Sequence, residues 1–228
     1  MAARDESEIL DEGCRKLGLE LPPGALEKLS AYLDLLEKWN RAYNLTAVRR
    51  REDMVVRHLL DSLAILPCLR GQRFLDVGSG AGLPGVPLAI CLPDAQFVLL
   101  DSNGKKTRFL FQVRHALALA NLQIVADRVE NYTPEEPFDG LLCRAFASLP
   151  DILTLCGHLL PPAASLYAMK GPCARDELLN LQAGGVQARL EVLDVPYLEE
   201  PRSLLIIEAS RCAEEAEKRA VSHMQGRG

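Results

Sequence analysis

RFLDVGSGAGLPG, residues 73–85, is the stretch on which the reading of the fold turns. An apolar run ends on an acid, Asp76, turns through Gly78, Gly80 and Gly82, and gives way to a helix-forming segment near Pro84. In this strand–loop–helix order, a backbone without Cβ atoms lets a ligand approach closely and a helix N-terminus faces it. Gly80-x-Gly82-x-x-Gly85 also satisfies the dinucleotide pattern, so the motif does not choose its own ligand. A tight turn that binds nothing would need the same glycines.

The acid discriminates. A pyrophosphate on this loop would place negative charge within a few ångströms of Asp76, at a cost of roughly a few kcal/mol in a partly buried cleft. S-adenosylmethionine carries a sulfonium and an ammonium, so a carboxylate beside the glycine turn favours it over a nicotinamide dinucleotide.

Working outward, extended and helical runs alternate. FLDVG is followed by a helix over 85–92, QFVLLD (96–101) by a helix over 104–119, then come LQIVA (122–126) and FDGLLC (138–143) with a helix near 149–159. SLYAMK (165–170) leads to a helix near 174–183, and two closing strands are predicted at 187–195 and 203–209. Continuously apolar strands fit a parallel sheet covered by helices on both faces. The last run follows no helix, so it is free to insert antiparallel. Upstream, helices are predicted over 5–18, 24–42 and 51–66, the third stopping at Pro67. We therefore expect a helical extension (1–67) packed on an α/β body (68–210), with a charged tail (211–228) that frays.

Composition sets the limits. With 48% hydrophobic and 25% charged residues the chain is globular. The acidic start predicts no secretory leader, and the longest apolar stretch is broken by Pro84, Gly85 and Pro87, so a soluble cytoplasmic protein is expected with no membrane contact. Seven scattered cysteines form no CxxC pair and no metal spacing, so no metal is expected. The net charge is −5, but residues 38–58 carry six Lys/Arg against two acids and residues 103–115 carry four Lys/Arg with no acid. Such a face suits a polyanion; a solvated helix surface accounts for it as well.

In an open α/β sheet the ligand lies outside the carboxyl ends of the strands. Asp101 ends the second strand, where it can accept from ribose hydroxyls or simply cap the next helix. Val129 and Glu130 follow the third, offering an apolar wall and a polar edge to an adenine. The fourth ends in Cys143-Arg144-Ala145-Phe146, without the Asn/Asp-Pro-Pro-aromatic sequence of many enzymes that methylate exocyclic amines. It offers a cation and no acceptor, which suits a nucleophile with a free in-plane lone pair, such as guanine N7. The fifth ends in Lys170, a second cation, and His58 reads as a packed helix residue.

The blocks YNLTAVR (43–49), RHLLDSLAILP (57–67), FLDVGSGAGLPGVPLAI (74–90), LLDSNGKKTRFL (99–110), FDGLLCRAFASL (138–149), MKGP (169–172) and RSLLII (202–207) resemble the GidB (RsmG) family of bacterial 16S rRNA guanine-N7 methyltransferases. The resemblance implies a Rossmann-like class I methyltransferase fold, a seven-stranded, mostly parallel sheet whose last inserted strand is antiparallel. It implies S-adenosyl-L-methionine as donor, S-adenosyl-L-homocysteine as product, and a guanosine in the decoding-region hairpin of 16S rRNA, in the small subunit or an assembly intermediate, as target. Carried over by position, Gly78 and Leu83, with Asp76 and Gly80 of the same loop, meet the donor, Asp101 holds its ribose, Val129 and Glu130 flank its adenine, and Arg144 stands at the donor–substrate junction. From charge and position, Arg144 and Lys170 are expected to orient the reactants, and Arg49, Arg50, Arg51, Arg57, Lys105, Lys106 and Arg108 to hold flanking phosphates. Cys143 stands where a serine is frequent in the family, and it and the acidic start receive no role. A nicotinamide-dependent oxidoreductase and a non-catalytic RNA-binding or ribosome-assembly protein are the rival readings.

Overall fold

The computed structural model describes residues 5–145, 148–172 and 174–208. Seven strands, β1 (Arg73–Val77), β2 (Gln96–Leu100), β3 (Leu122–Val125), β4 (Gly140–Arg144), β5 (Ser165–Lys170), β6 (Ala188–Leu193) and β7 (Arg202–Glu208), form one sheet in the order β3-β2-β1-β4-β5-β7-β6. The first five are mutually parallel, and β7 lies antiparallel to both β5 and β6. The direction of β7 matters for the site. Running backwards, it starts where its neighbours end: Ser203 is paired with Lys170.

Every strand end predicted from apolar runs falls within a few residues of its place, because a short apolar run bounded by turn residues is a local property of the chain. Alternate side chains go to opposite faces. Phe74, Phe97, Leu99, Leu142, Tyr167, Met169, Leu204 and Ile206 join the core that also holds α1 (Glu6–Lys16), α2 (Ala25–Tyr43), α5 (Gly85–Cys91) and α6 (Gly104–Ala116). Leu75, Leu100, Leu141, Cys143, Ala168 and Leu205 face α7 (Leu149–Cys156) and α8 (Ala174–Ala183) on the other side.

The helical extension thus shares one continuous core with the sheet. Tyr32 of α2, wholly buried, donates its hydroxyl to the carbonyl of Ala81 in the glycine loop at 2.7 Å. The segment expected as one helix over 51–66 is instead α3 (Arg51–Met54), a π-helical turn over Val55–Leu60, and α4 (Asp61–Leu63). Met54, Val55 and every residue from His58 to Ile65 are buried, Asp61 and Ser62 included, while Val56 and Arg57 stay half-exposed. Period-3.6 reasoning foresees an amphipathic helix, not one enclosed on nearly every side, and a π turn inside a helix often marks a functional site. The tail from residue 211 lies outside the described residues, as do Phe146 and Cys173. No helix of the described residues is long and apolar enough to cross a membrane, and they contain no group of metal-binding side chains.

Candidate active site

Two clefts open at the carboxyl edge of the sheet, and they meet at one residue. The first, about 350 Å³, is lined by Gly78, Asp101, Lys106, Val129 and Glu130, among others, and by Ala145. The second, also about 350 Å³, is lined by Asp61, Arg144, Ala145, Met169, Lys170 and Arg202. Ala145 stands in both with φ +50°, a left-handed conformation that costs a non-glycine residue about 1–2 kcal/mol and that clusters at functional sites.

The glycine loop is shaped for the first cleft. Gly78, Gly80 and Gly82 have φ of +66°, +60° and +88°. A Cβ on Gly82 would lie 2.5 Å from Val86, and one on Gly85 would lie 2.6 Å from Asp76 Oδ2, so these two positions are also sterically closed. Asp101 organises the turn after β2: Oδ2 accepts from the Gly80 N–H at 2.9 Å and Oδ1 from the Asn103 N–H at 2.8 Å, and Lys106 Nζ stands 3.5 Å from the same carboxylate.

Asp76 is a correction to the electrostatic reading of the sequence. It shares the inner face of β1 with Phe74, so it points at α5 and not into the cleft; Oδ2 accepts from the Gly85 N–H at 2.9 Å, and Oδ1 is buried without a hydrogen-bond partner. Burial pushes its carboxyl up to about 7, opposed by the Gly85 N–H and by Arg144. The acids that line the cleft are Asp101, Asp127 and Glu130. Leu83 is packed against the core and lines neither cleft.

Strand parity also distributes the cations. Arg144 follows Leu142 on the inner face and turns toward the helical extension, where its guanidinium donates to the carbonyl of Arg57 at 2.7 Å and lies 3.3 Å from Asp61 Oδ2. Arg202, on the same face as Leu204, sets Nε 3.2 Å from Asp61 Oδ1. Lys170 is on the opposite parity, with Ala168, and pairs with Glu177 of α8 at 2.8 Å. It lines the second cleft already neutralised. Burial raises the Asp61 carboxyl, and Arg144 and Arg202 pull it back down. His58 is buried, contacts Thr46 Oγ1 at 2.9 Å, and is pushed down to about 4 by burial and nearby Arg144, which keeps it neutral and structural.

The basic face is smaller than its sequence suggests. Arg51, expected there, is enclosed instead: it bonds Glu6 at 2.7 Å and the Ser30 carbonyl at 3.0 Å and pairs with Asp34 at 2.8 Å, so the acidic start has a partner. Arg49 bonds Asn44, Arg50 pairs with Glu52, and Arg57 pairs with Glu200, all at the surface. Lys105 and Arg108 are exposed on α6, whereas Lys106 belongs to the first cleft. Sequence reasoning missed Asp61 and Arg202. The available signal was an acid inside the apolar run of residues 59–66 and an arginine on the inner parity of the last strand.

Against this geometry, the family described as GidB, rRNA small subunit methyltransferase G, matches residues 25–206. The chain belongs to that family. Ribosomal RNA small subunit methyltransferase G of Salmonella arizonae is 50% identical over 205 residues, covering 90% of this chain and 97% of that one, and the protein of the same name from Yersinia enterocolitica is 50% identical over 88% and 98%. Among solved structures, magnesium protoporphyrin IX methyltransferase from Synechocystis with bound S-adenosylmethionine superposes with a TM-score of 0.52 at 19% identity, over 91% of this chain and 99% of that one. Precorrin-6y C5,15-methyltransferase from Geobacter metallireducens gives 0.51 at 12%, over 72% and 90%. These two share the class I methyltransferase fold.

GidB membership decides between the donors the glycine loop left open: the chain is an S-adenosylmethionine-dependent methyltransferase of rRNA. The first cleft fits that donor. Its lining combines a carboxylate just past β2, an apolar wall at Val129 and a left-handed glycine, groups compatible with a ribose, an adenine and a close backbone approach.

Proposed function

We propose that this chain methylates N7 of one guanosine in the decoding-region hairpin of 16S rRNA, in the cytoplasm, on the small ribosomal subunit or its assembly intermediate. The observation that carries the reading is the second cleft. It is lined by cations, joins the donor cleft at Ala145, and its one acid, Asp61, is ion-paired to both Arg144 and Arg202, which hold it as the charged partner of two guanidinium groups and not as a free base. A nucleophile that had to lose a proton would need a free acceptor there. N7 of guanine needs none, because its lone pair lies in the ring plane.

Asp101 would hold the donor's ribose, with Val129 and Glu130 beside its adenine and Gly78 under it. When bound, the donor supplies an electrophilic sulfonium methyl that passes directly to the nucleophile while a neutral thioether leaves. The chain's part is alignment. Arg144, fixed to the helical extension, orients the guanine O6, an RNA phosphate or the methionine carboxylate at the junction, and Lys170 flanks the same cleft. Holding two reactants in near-attack geometry supplies up to about 7–11 kcal/mol of a barrier. In A-form RNA, N7 faces a groove too deep and narrow for side chains, so the target must be splayed out, with Arg49, Arg50, Lys105 and Arg108 available for flanking phosphates.

Borohydride–aniline cleavage, which reads 7-methylguanosine, tests the proposal on 16S rRNA from cells with and without this protein. One cleavage position in the decoding hairpin should disappear and return on complementation. A mark at another atom, or equal turnover of free guanosine, would overturn it.

A further inference from the structure

Asp61 is the least expected residue of the second cleft. It is 2% exposed, sits directly after the π-helical turn, and belongs to the helical extension, not to the sheet that carries the donor. Arginines from two strands converge on it. Arg144 ends β4 and approaches Oδ2 at 3.3 Å; Arg202 begins β7 and approaches Oδ1 at 3.2 Å. Those strands are not neighbours, since β5 lies between them. The antiparallel course of β7 is what brings Arg202 to the carboxyl edge, and the π turn is what brings the carbonyl of Arg57 to within 2.7 Å of Arg144. Arg144 Nη1 is buried and without a hydrogen-bond partner. A donor left unsatisfied in a cationic cleft is a group awaiting an acceptor.

We propose that Asp61 is a positioning residue for methyl transfer and that Arg202 is a substrate-binding residue: the carboxylate anchors Arg144 and Arg202, one on each of its oxygens, so that together they grip an anionic or carbonyl oxygen of the target nucleotide. The inference rests on the rRNA methyltransferase reading above. A single carboxylate between two guanidinium groups leaves the cluster one positive charge in excess, which a nucleotide phosphate or guanine O6 satisfies. It also makes the helical extension a part of the active site. Without it, nothing would offset the mutual repulsion of Arg144 and Arg202 in the same half-buried cleft, and the two would move apart.

The test is a double-mutant cycle on full-length protein, with small ribosomal subunits lacking the modification as substrate. Asp61→Asn should lower kcat/KM for subunits by about tenfold or more, mainly through KM, while the dissociation constant for S-adenosylhomocysteine stays within about twofold. Arg202→Gln should show the same split, and Asp61→Asn added to Arg202→Gln should cost much less than it does alone. Asp61→Glu should recover part of the loss. Additive effects of the two substitutions, or a loss of S-adenosylhomocysteine affinity that parallels the loss of turnover, would overturn the proposal in favour of a structural role. If Asp61→Asn does not fold, the cycle is run with Arg144→Lys and Arg202→Gln, and additivity there is equally decisive. Failure of the underlying reading looks different: the unmodified protein itself would not methylate the subunits.

Discussion

Asp76 accepts a 2.9 Å hydrogen bond from the backbone N–H of Gly85, the first residue of α5, while its other oxygen is buried with no partner. Burial raises the carboxyl from 3.8 to about 7. The folded state therefore holds a proton that the unfolded chain has already released over this window. Stability attributable to Asp76 falls as pH rises from about 4 to about 7 and is level above that. Asp76→Asn should flatten the pH dependence of the urea midpoint over that range and raise the midpoint above pH 7. Because Asp76 faces α5 and not the first cleft, Asp76→Asn should change affinity for S-adenosylmethionine little at any pH in this window, as read by calorimetry.

Three adjacent arginines should behave as two classes. Arg51, held by Glu6, Asp34 and the Ser30 carbonyl, ties α1 to α2, and Arg51→Ala should destabilise the fold by roughly 2–4 kcal/mol in urea unfolding, since it leaves carboxylates without their partner. Arg49→Glu with Arg50→Glu should leave the unfolding midpoint unchanged. That pair should instead weaken rRNA binding and lessen its salt dependence.

The glycines of the loop should also separate. Gly80 has space for a Cβ, with the Gly78 carbonyl 3.8 Å away, so Gly80→Ala carries mainly the left-handed backbone penalty of about 1 kcal/mol. Gly82 has φ +88° and a Cβ there would lie 2.5 Å from Val86 and 2.8 Å from Leu110. Gly82→Ala should therefore lower the melting temperature clearly more than Gly80→Ala does, by differential scanning calorimetry.

Lys106 offers a test of the division between the clefts. Its ammonium stands 3.5 Å from Asp101 and lines the first cleft, so if that cleft holds the donor as proposed, Lys106→Ala should change S-adenosylhomocysteine affinity several-fold and rRNA affinity little. Lys105→Ala, on the exposed side of α6, should do the reverse. A filter-binding measurement and a calorimetric titration on the same two variants check both.

The order of elements and the strand positions were legible in residues 73–208, because short apolar runs and glycine or proline punctuation act between near neighbours and need no partner from afar. FLDVGSGAG specified a glycine loop at the carboxyl edge of a parallel sheet, and the ends of β2, β3 and β4 located Asp101, Val129 and Arg144 beside it. What the chain could not announce was which like residue among several would meet which partner. Arg49, Arg50 and Arg51 are chemically equivalent until α1 packs on α2 and brings Glu6 to the third of them. Asp76 and Asp101 share one strand parity, but Asp76 lies inside β1 and is buried behind α5, whereas Asp101 comes one residue after β2 ends and lines the cleft. Asp61, Arg144 and Arg202 come from three separate parts of the chain, and they meet only because β7 runs backwards beside β5 while a π turn resets the helix that carries the acid. Local periodicity is a property of neighbours in sequence; ion pairing among buried groups depends on which faces the packed elements turn toward one another.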